Sequence, residues 1–302
     1  MAELSIGSLT TQPDRPTRSE RRRFSLGAFV PLIPLFILLI LASAGWWPGL
    51  NPTVQDLTNR LQPPLGWGGT MSHPAGTDSL GRDLLARTLV GLQKSLVIGL
   101  VAATLSACIG VTLGLVAGIA GGILDDLITA LSELVLSIPT IVVGLVVVAT
   151  IGQGMINLIS LLVLSAWVTQ ARVLRLQSRS VIGSDYVLAA RSLGSTDVHL
   201  VVFHVLPNVL PAVVMVFCQQ VAAIMIWESS LTYLGAGLPI GQISLGGLIR
   251  EGQQHLFDAP WLGIVPGVVL ALAVIAFSLA GRWIQERLLP GQHRTLLRSE
   301  SA

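Results

Sequence analysis

Three groups of residues in this 302-residue sequence have types and spacings that bear on chemistry. One is a polar stretch from Ser184 to Pro211, SDYVLAARSLGSTDVHLVVFHVLPNVLP, with Asp185, Arg191, Asp197, His199 and His204. Another is His73-Pro74-Ala75-Gly76-Thr77-Asp78-Ser79-Leu80-Gly81-Arg82-Asp83. The third is a pair of carboxylates, Glu133 and Glu228, each set in an otherwise apolar run. None spells out a reaction centre. His199 and His204 have no paired nucleophile, H-E-x-x-H or comparable metal-ligand spacing is missing, and no metal is expected. A phosphate-cradling loop needs Gly-Lys-Ser/Thr, yet the sole lysine, Lys94, follows Gln93. Hydrolysis of ATP by that chemistry is not expected of this chain, which reads as non-catalytic and without a cofactor of its own. Cys108 and Cys218 lie in different apolar segments, where packing is the expected role.

The elements that must position these residues are membrane spans. With 52% hydrophobic and only 11% charged residues, the chain has too little polar surface for an ordinary soluble domain. Its arginines are spread between loops without interleaved stacking aromatics, so no nucleic-acid partner is expected. Six spans are predicted: about 28–47, 95–117, 127–151, 158–173, 209–231 and 261–283. The chain divides into a disordered basic tail (1–27), a first span (28–47), an external loop with an interfacial helix (48–93), a five-helix core (94–283) enclosing the loop at 184–211, and a second tail (284–302). Ala42-Ser43-Ala44 has the look of a signal-peptidase site, but the long preceding tail and the apolar run up to Trp46-Trp47 favour an uncleaved span.

Local patterns refine this reading. Asp185 to Leu193 should form a short helix, with Asp185 at its acid-favouring start and Gly194 as its stop. Ser195, Thr196 and Asp197 are possible caps of a second helix, broken where Leu206-Pro207-Asn208 and Pro211 meet the next apolar run. On the other side of the sequence, Thr77 and Asp78 can cap a helix whose apolar positions are Leu80, Leu84, Leu85, Leu89 and Leu92, leaving Arg82, Asp83 and Arg87 polar. Gly110, Gly114, Gly118 and Gly122 recur every fourth residue and should admit a neighbouring helix closely. Glu133 and Glu228 are too expensive to face lipid; they either line a pathway or are hydrogen-bonded between helices.

Six spans put both ends on one side. Placing the tails and the 184–211 loop in the cytoplasm leaves only Arg60, Arg82, Arg87, Lys94 and Arg250 of the 18 Lys and Arg outside, as the positive-inside rule requires.

The run Ala189-Ala190, three residues, Gly194, then nine residues to His204-Val205-Leu206-Pro207 resembles the cytoplasmic loop of permease subunits in binding-protein-dependent ABC importers. Leu188 stands where that motif carries glutamate, a departure shared with the peptide and nickel branch, and the polar grip would then rest on Asp185, Arg191 and Asp197. Three further stretches resemble the same branch: His73 to Asp83; Glu228-Ser229-Ser230-Leu231-Thr232-Tyr233-Leu234-Gly235; and Leu245-Gly246-Gly247-Leu248-Ile249-Arg250-Glu251-Gly252, with Leu245 replacing a usual tryptophan. Gly281 to Pro290 departs from it, lacking two aspartates.

The resemblance implies an all-α membrane protein with the type I importer permease fold in a bacterial inner membrane. It also implies a second homologous permease, two cytoplasmic ATPases holding ATP and magnesium, and an external solute-binding protein. Asp185, Tyr186, Ala189, Ala190, Arg191, Gly194, Asp197 and Pro207 would form the contact to the ATPases. The solute would be a peptide or peptide-like molecule; a nickel or other metal chelate, or an opine, is the alternative. From other classes, an ATP-independent secondary transporter could share the spans, and an intramembrane enzyme would need a catalytic pair that the sequence does not offer.

Overall fold

A computed structural model describes residues 30–47, 49–239 and 241–288. Among these the chain is helical, and its only sheet-like feature is an isolated bridge between Thr77 and Asp83. The helices are α1 (Ile33–Ala44), α2 (Leu84–Ala120), α3 (Gly122–Ser137), α4 (Thr140–Thr150), α5 (Met155–Ile182), α6 (Asp185–Ser192), α7 (Asp197–Leu200), α8 (Leu206–Tyr233), α9 (Leu245–Gln253) and α10 (Trp261–Leu288). Four helical segments are long and apolar enough to cross a membrane, or five when the bent α3–α4 pair is taken as one. α1 is a shorter apolar helix. The tail expected at 1–27 lies outside the described residues, as does the second tail from 289 onward.

The core gathers Leu92, Leu96 and Ala102 of α2, Leu161 and Leu162 of α5, Val221 and Met225 of α8, and Ala273 and Phe277 of α10. Many apolar side chains point outward instead, among them Leu105, Leu164 and Leu272. In a bilayer this is no penalty: lipid solvates them, and helices associate through close packing rather than through escape from water. The glycine stripe shows how. A Cβ on Gly110 would stand 2.5 Å from Trp167 O, and one on Gly114 would stand 2.5 Å from Ala171 O. Gly118 meets Ser178 and Arg175 O in the same way, so α2 lies backbone to backbone against α5. Gly122 does not extend the stripe: it opens α3, and nothing surrounds it.

Four sequence expectations give way to specific causes. The third span is broken, with α3 and α4 bent by 75°, because the pyrrolidine of Pro139 drives Ile138 out of the helical region to φ −106°, ψ 124°. Pro207 and Pro211, expected to end a helix, do not. A π-helical turn over Val201–Val205 shifts the hydrogen bonding so that Pro207 falls in the first turn of α8, where its missing N–H is harmless, and Pro211 is carried inside the helix. Helix from Val198 to Tyr233 is the result. At the start of α2 the cap is Asp83, whose Oδ1 accepts from Ala86 N at 2.8 Å, not Thr77 or Asp78. The helix therefore starts at Leu84, leaves Leu80 in the loop, and runs on through the second span without interruption as 37 residues.

Candidate functional site

The loop between α5 and α8 is shaped by its own short-range bonds. α6 ends in a Schellman motif: Gly194 N donates to Arg191 O at 3.0 Å and Ser195 N to Ala190 O at 3.2 Å, satisfying carbonyls that the helix leaves open. Gly194 holds φ +89° there, a conformation that favours glycine. Thr196 Oγ1 accepts from His199 N at 3.4 Å and opens α7. Inward, Val187 of α6, Leu200 of α7 and Val205 of the π turn are buried. Outward, Leu193, Val198 and Phe203 are 89%, 74% and 64% exposed. A cross-loop bond ties α6 to the span: Asn208 Nδ2 donates to Tyr186 Oη at 3.0 Å while also reaching His204 O at 2.7 Å. The His199 ring lies 4.6 Å from that of Phe203 and 6.0 Å from that of His204.

The residues expected to contact a partner thus share one short stretch of surface. Asp185, Tyr186, Ala189, Arg191 and Gly194 are exposed and Ala190 is half-buried. Asp197 begins α7, and Pro207 is exposed in the first turn of α8. Sequence reasoning passed over Asn208 and Val187. Asn208 had one available signal, its place directly after Pro207, whereas the inward turn of Val187 depends on how α6 docks.

Next to this loop, α3 and α5 are joined by charge. Buried Asp125 receives Arg175 through both carboxylate oxygens, Nη2 to Oδ2 at 2.7 Å and Nε to Oδ1, and also pairs with Arg179. The start of α3 and the end of α5 are therefore on one side of the molecule.

At the opposite ends of the helices a second charge cluster forms. Asp78 accepts from the amides of Leu80 and Arg82, both at 2.9 Å, and from Arg82 Nε at 2.6 Å. Arg87, 97% buried, reaches back to Asp78 and forward to Glu251 of α9, at 2.7 Å for Nη1 and 3.1 Å for Nη2. Expected on a polar face, Arg87 is instead an interior clamp. Burial alone would raise the Asp78 pKa, but the Arg82 and Leu80 amides, the Arg82 side chain and the Arg87 charge together hold it below the ordinary value of 3.8. His73 Nδ1 lies 2.8 Å from Asp83 Oδ2, which pins the loop to the cap of α2. These bonds anchor the loop to the ends of α2 and α9.

The two intramembrane carboxylates diverge. Glu228 is wholly buried and accepts from Ser95 Oγ of α2 at 2.8 Å, Thr232 Oγ1 at 3.0 Å and Ser229 Oγ at 3.2 Å. Ser95 Oγ in turn accepts from Leu245 N at 3.4 Å, drawing α9 into the same junction. Glu133 on α3 is exposed, and no described residue bonds its side chain.

Comparison with known proteins places these features in a family. The family described as "Binding-protein-dependent transport system inner membrane component" matches residues 110–294. The chain is 30% identical to the probable D,D-dipeptide transport system permease protein of Escherichia coli K12, over 86% of this chain and 85% of that one. It is 32% identical to the glutathione transport system permease protein of Shigella flexneri, over 89% and 88%. To the oligopeptide transport system permease protein of Bacillus subtilis it is 26% identical, over 95% and 92%. Among solved structures, an inward-facing methionine ABC transporter chain superposes with a TM-score of 0.56 at 20% identity, covering 67% of this chain and 95% of that one, which shows a common fold. The loop, the spans and the matches converge: this chain belongs to the family of inner membrane components of binding-protein-dependent transport systems.

Proposed function

We propose that this chain is a permease subunit of an ATP-driven importer of peptides or peptide-like solutes, supplying half of the pathway and joining it to ATPase subunits. The single observation that carries the coupling role is the continuity of the 184–211 loop with the membrane. Exposed α6 is fastened by Tyr186 and Asn208 to a helical segment that continues to Tyr233. The names of the dipeptide, oligopeptide and glutathione relatives support the solute class.

In this reading there are six spans, formed by α1, α2, α3–α4, α5, α8 and α10, with both termini cytoplasmic. The separation of the two charge clusters supports that order, since Asp125 meets Arg175 at one end and Arg87 meets Glu251 at the other. The chain pairs with a second homologous permease, two cytoplasmic ATPases and an external solute-binding protein, and itself catalyses nothing. ATP and magnesium are held by the ATPases. Asp185, Arg191 and Asp197 supply polar contacts to them, while Leu193, Val198 and Phe203 supply apolar ones. Closure of the ATPases on nucleotide displaces α6 and changes the balance between inward-open and outward-open states through the different contacts made in each.

The test is a tagged pull-down from gently solubilised native membranes. A second permease and P-loop ATPases are expected to co-purify, and the ATPases are expected to be lost when Arg191 and Asp197 are both charge-reversed. Recovery of this chain alone, transporting in proteoliposomes without ATP, would establish a secondary transporter instead.

A further inference from the structure

Near the midpoints of α5 and α8 a cleft of about 420 Å³ opens beside the α3–α4 break. Thr140, Ser165, Thr169, Gln219 and Gln220 contribute its polar groups, Trp227 an indole, and no Asp, Glu, Lys or Arg lines it. Two of the polar groups are already engaged: Ser165 Oγ donates to Leu161 O at 3.2 Å and Gln220 Nε2 to Ala166 O at 3.3 Å. Gln219 and Thr169 are exposed, and neither side chain is hydrogen-bonded within the described residues.

Such a surface is unsuited to lipid. An unsatisfied carboxamide facing hydrocarbon costs several kcal/mol, so at this depth it faces water, solute or another chain. A second groove, lined by Leu105, Ile109 and Leu164, shows the contrast, being almost wholly apolar and compatible with acyl chains. A carboxamide is both donor and acceptor, as is the peptide group. With no fixed charge nearby, the exchange of hydrogen bonds is weak enough for a molecule to leave again.

We propose that this cleft is a wall of the translocation pathway, and that Gln219 and Thr169 take the neutral amide groups of a passing peptide by exchanging hydrogen bonds with them. The inference rests on the peptide-importer reading and adds to it the residues that recognise the solute.

The experiment uses the assembled transporter in proteoliposomes, with Cys108 and Cys218 replaced by alanine and radiolabelled tri-alanine as the probe. Gln219→Cys is expected to react with a water-soluble thiosulfonate, to be protected by tri-alanine, and to contrast with Leu164→Cys, which should react only with a bilayer-soluble reagent. Gln219→Leu should raise the KM for tri-alanine about fivefold, the effect of one lost hydrogen bond, and Gln219→Asn should restore most of it. Co-purification of the partner subunits verifies assembly of each variant. The proposal is overturned if Gln219→Cys reacts only with the bilayer-soluble reagent, if a neighbouring chain shields it from both, or if Gln219→Leu leaves KM unchanged. If the unsubstituted transporter does not take up tri-alanine, the peptide reading and the amide match fall together, while thiosulfonate labelling still decides whether the cleft is an aqueous pathway.

Discussion

Both ends of the molecule carry paired charges, at Asp125 and at Arg87, but they present opposite surfaces. Around Arg87 the charged groups pair with one another: Asp78, Arg82, Glu251 and the α2 cap close into a cluster in which each carboxylate meets a cation of the same chain or an amide. The 184–211 loop keeps its backbone in order through the Schellman motif and the Tyr186–Asn208 bond, but leaves Leu193, Val198 and Phe203 exposed. A mutually paired cluster fixes the geometry of the helix ends. An ordered yet uncovered surface is suited to a partner.

Removing the clamp is expected to have the largest effect. Arg87→Ala removes the buried cation that joins Asp78 to Glu251, leaving Asp78 only Arg82 and two amides, and should destabilise the chain by about 3 kcal/mol, read as a lowered unfolding temperature of the purified transporter. A fall no larger than that of a surface Arg→Ala variant would show the Arg87 cluster to be slack.

A smaller change is expected at Gly194. With open space around its Cβ position, Gly194→Ala should cost only about 1 kcal/mol of backbone strain, confined to faster hydrogen exchange in α6. Gly194→Pro demands φ near −65° where the chain holds +89°. Membrane insertion should survive and transport should be lost; undiminished uptake would remove the loop from the coupling role.

The least change is expected from pH. Because the folded Asp78 pKa lies below 3.8, the unfolded chain takes up the proton first as pH falls. The contribution of Asp78 is whole above that value and fades only as pH drops through the lower folded one. An unfolding temperature that is flat from pH 7 to pH 5 fits this cluster; a steep loss near pH 6 would contradict it.

Much of the frame was legible from hydrophobic run length, since lipid demands it, and the short helix from Asp185 was legible because propensity and a stop glycine agree. Elements that depend on distant partners were not. Arg87 looked like a surface residue because Glu251 is 164 positions away, and Ser95 gave no sign of meeting Glu228. Prolines misled in both directions: Pro139 breaks a span that composition reads as continuous, while the π turn before Pro207 rescues a helix that composition reads as broken. The cleft at Gln219 was invisible because its neighbours on α5 become neighbours only after packing.

The contact of α2 with α5 has a consequence for how a displacement travels. At Gly110 and Gly114 the two backbones are too near for side chains to slide between them. The pair therefore behaves as a single beam, with Ser184 attached at one end and the Arg87 clamp at the other. On the proposed coupling role, a push delivered to α6 would lose little in soft side-chain contacts and would reach the Arg87 end of α2 as a tilt of the loops there.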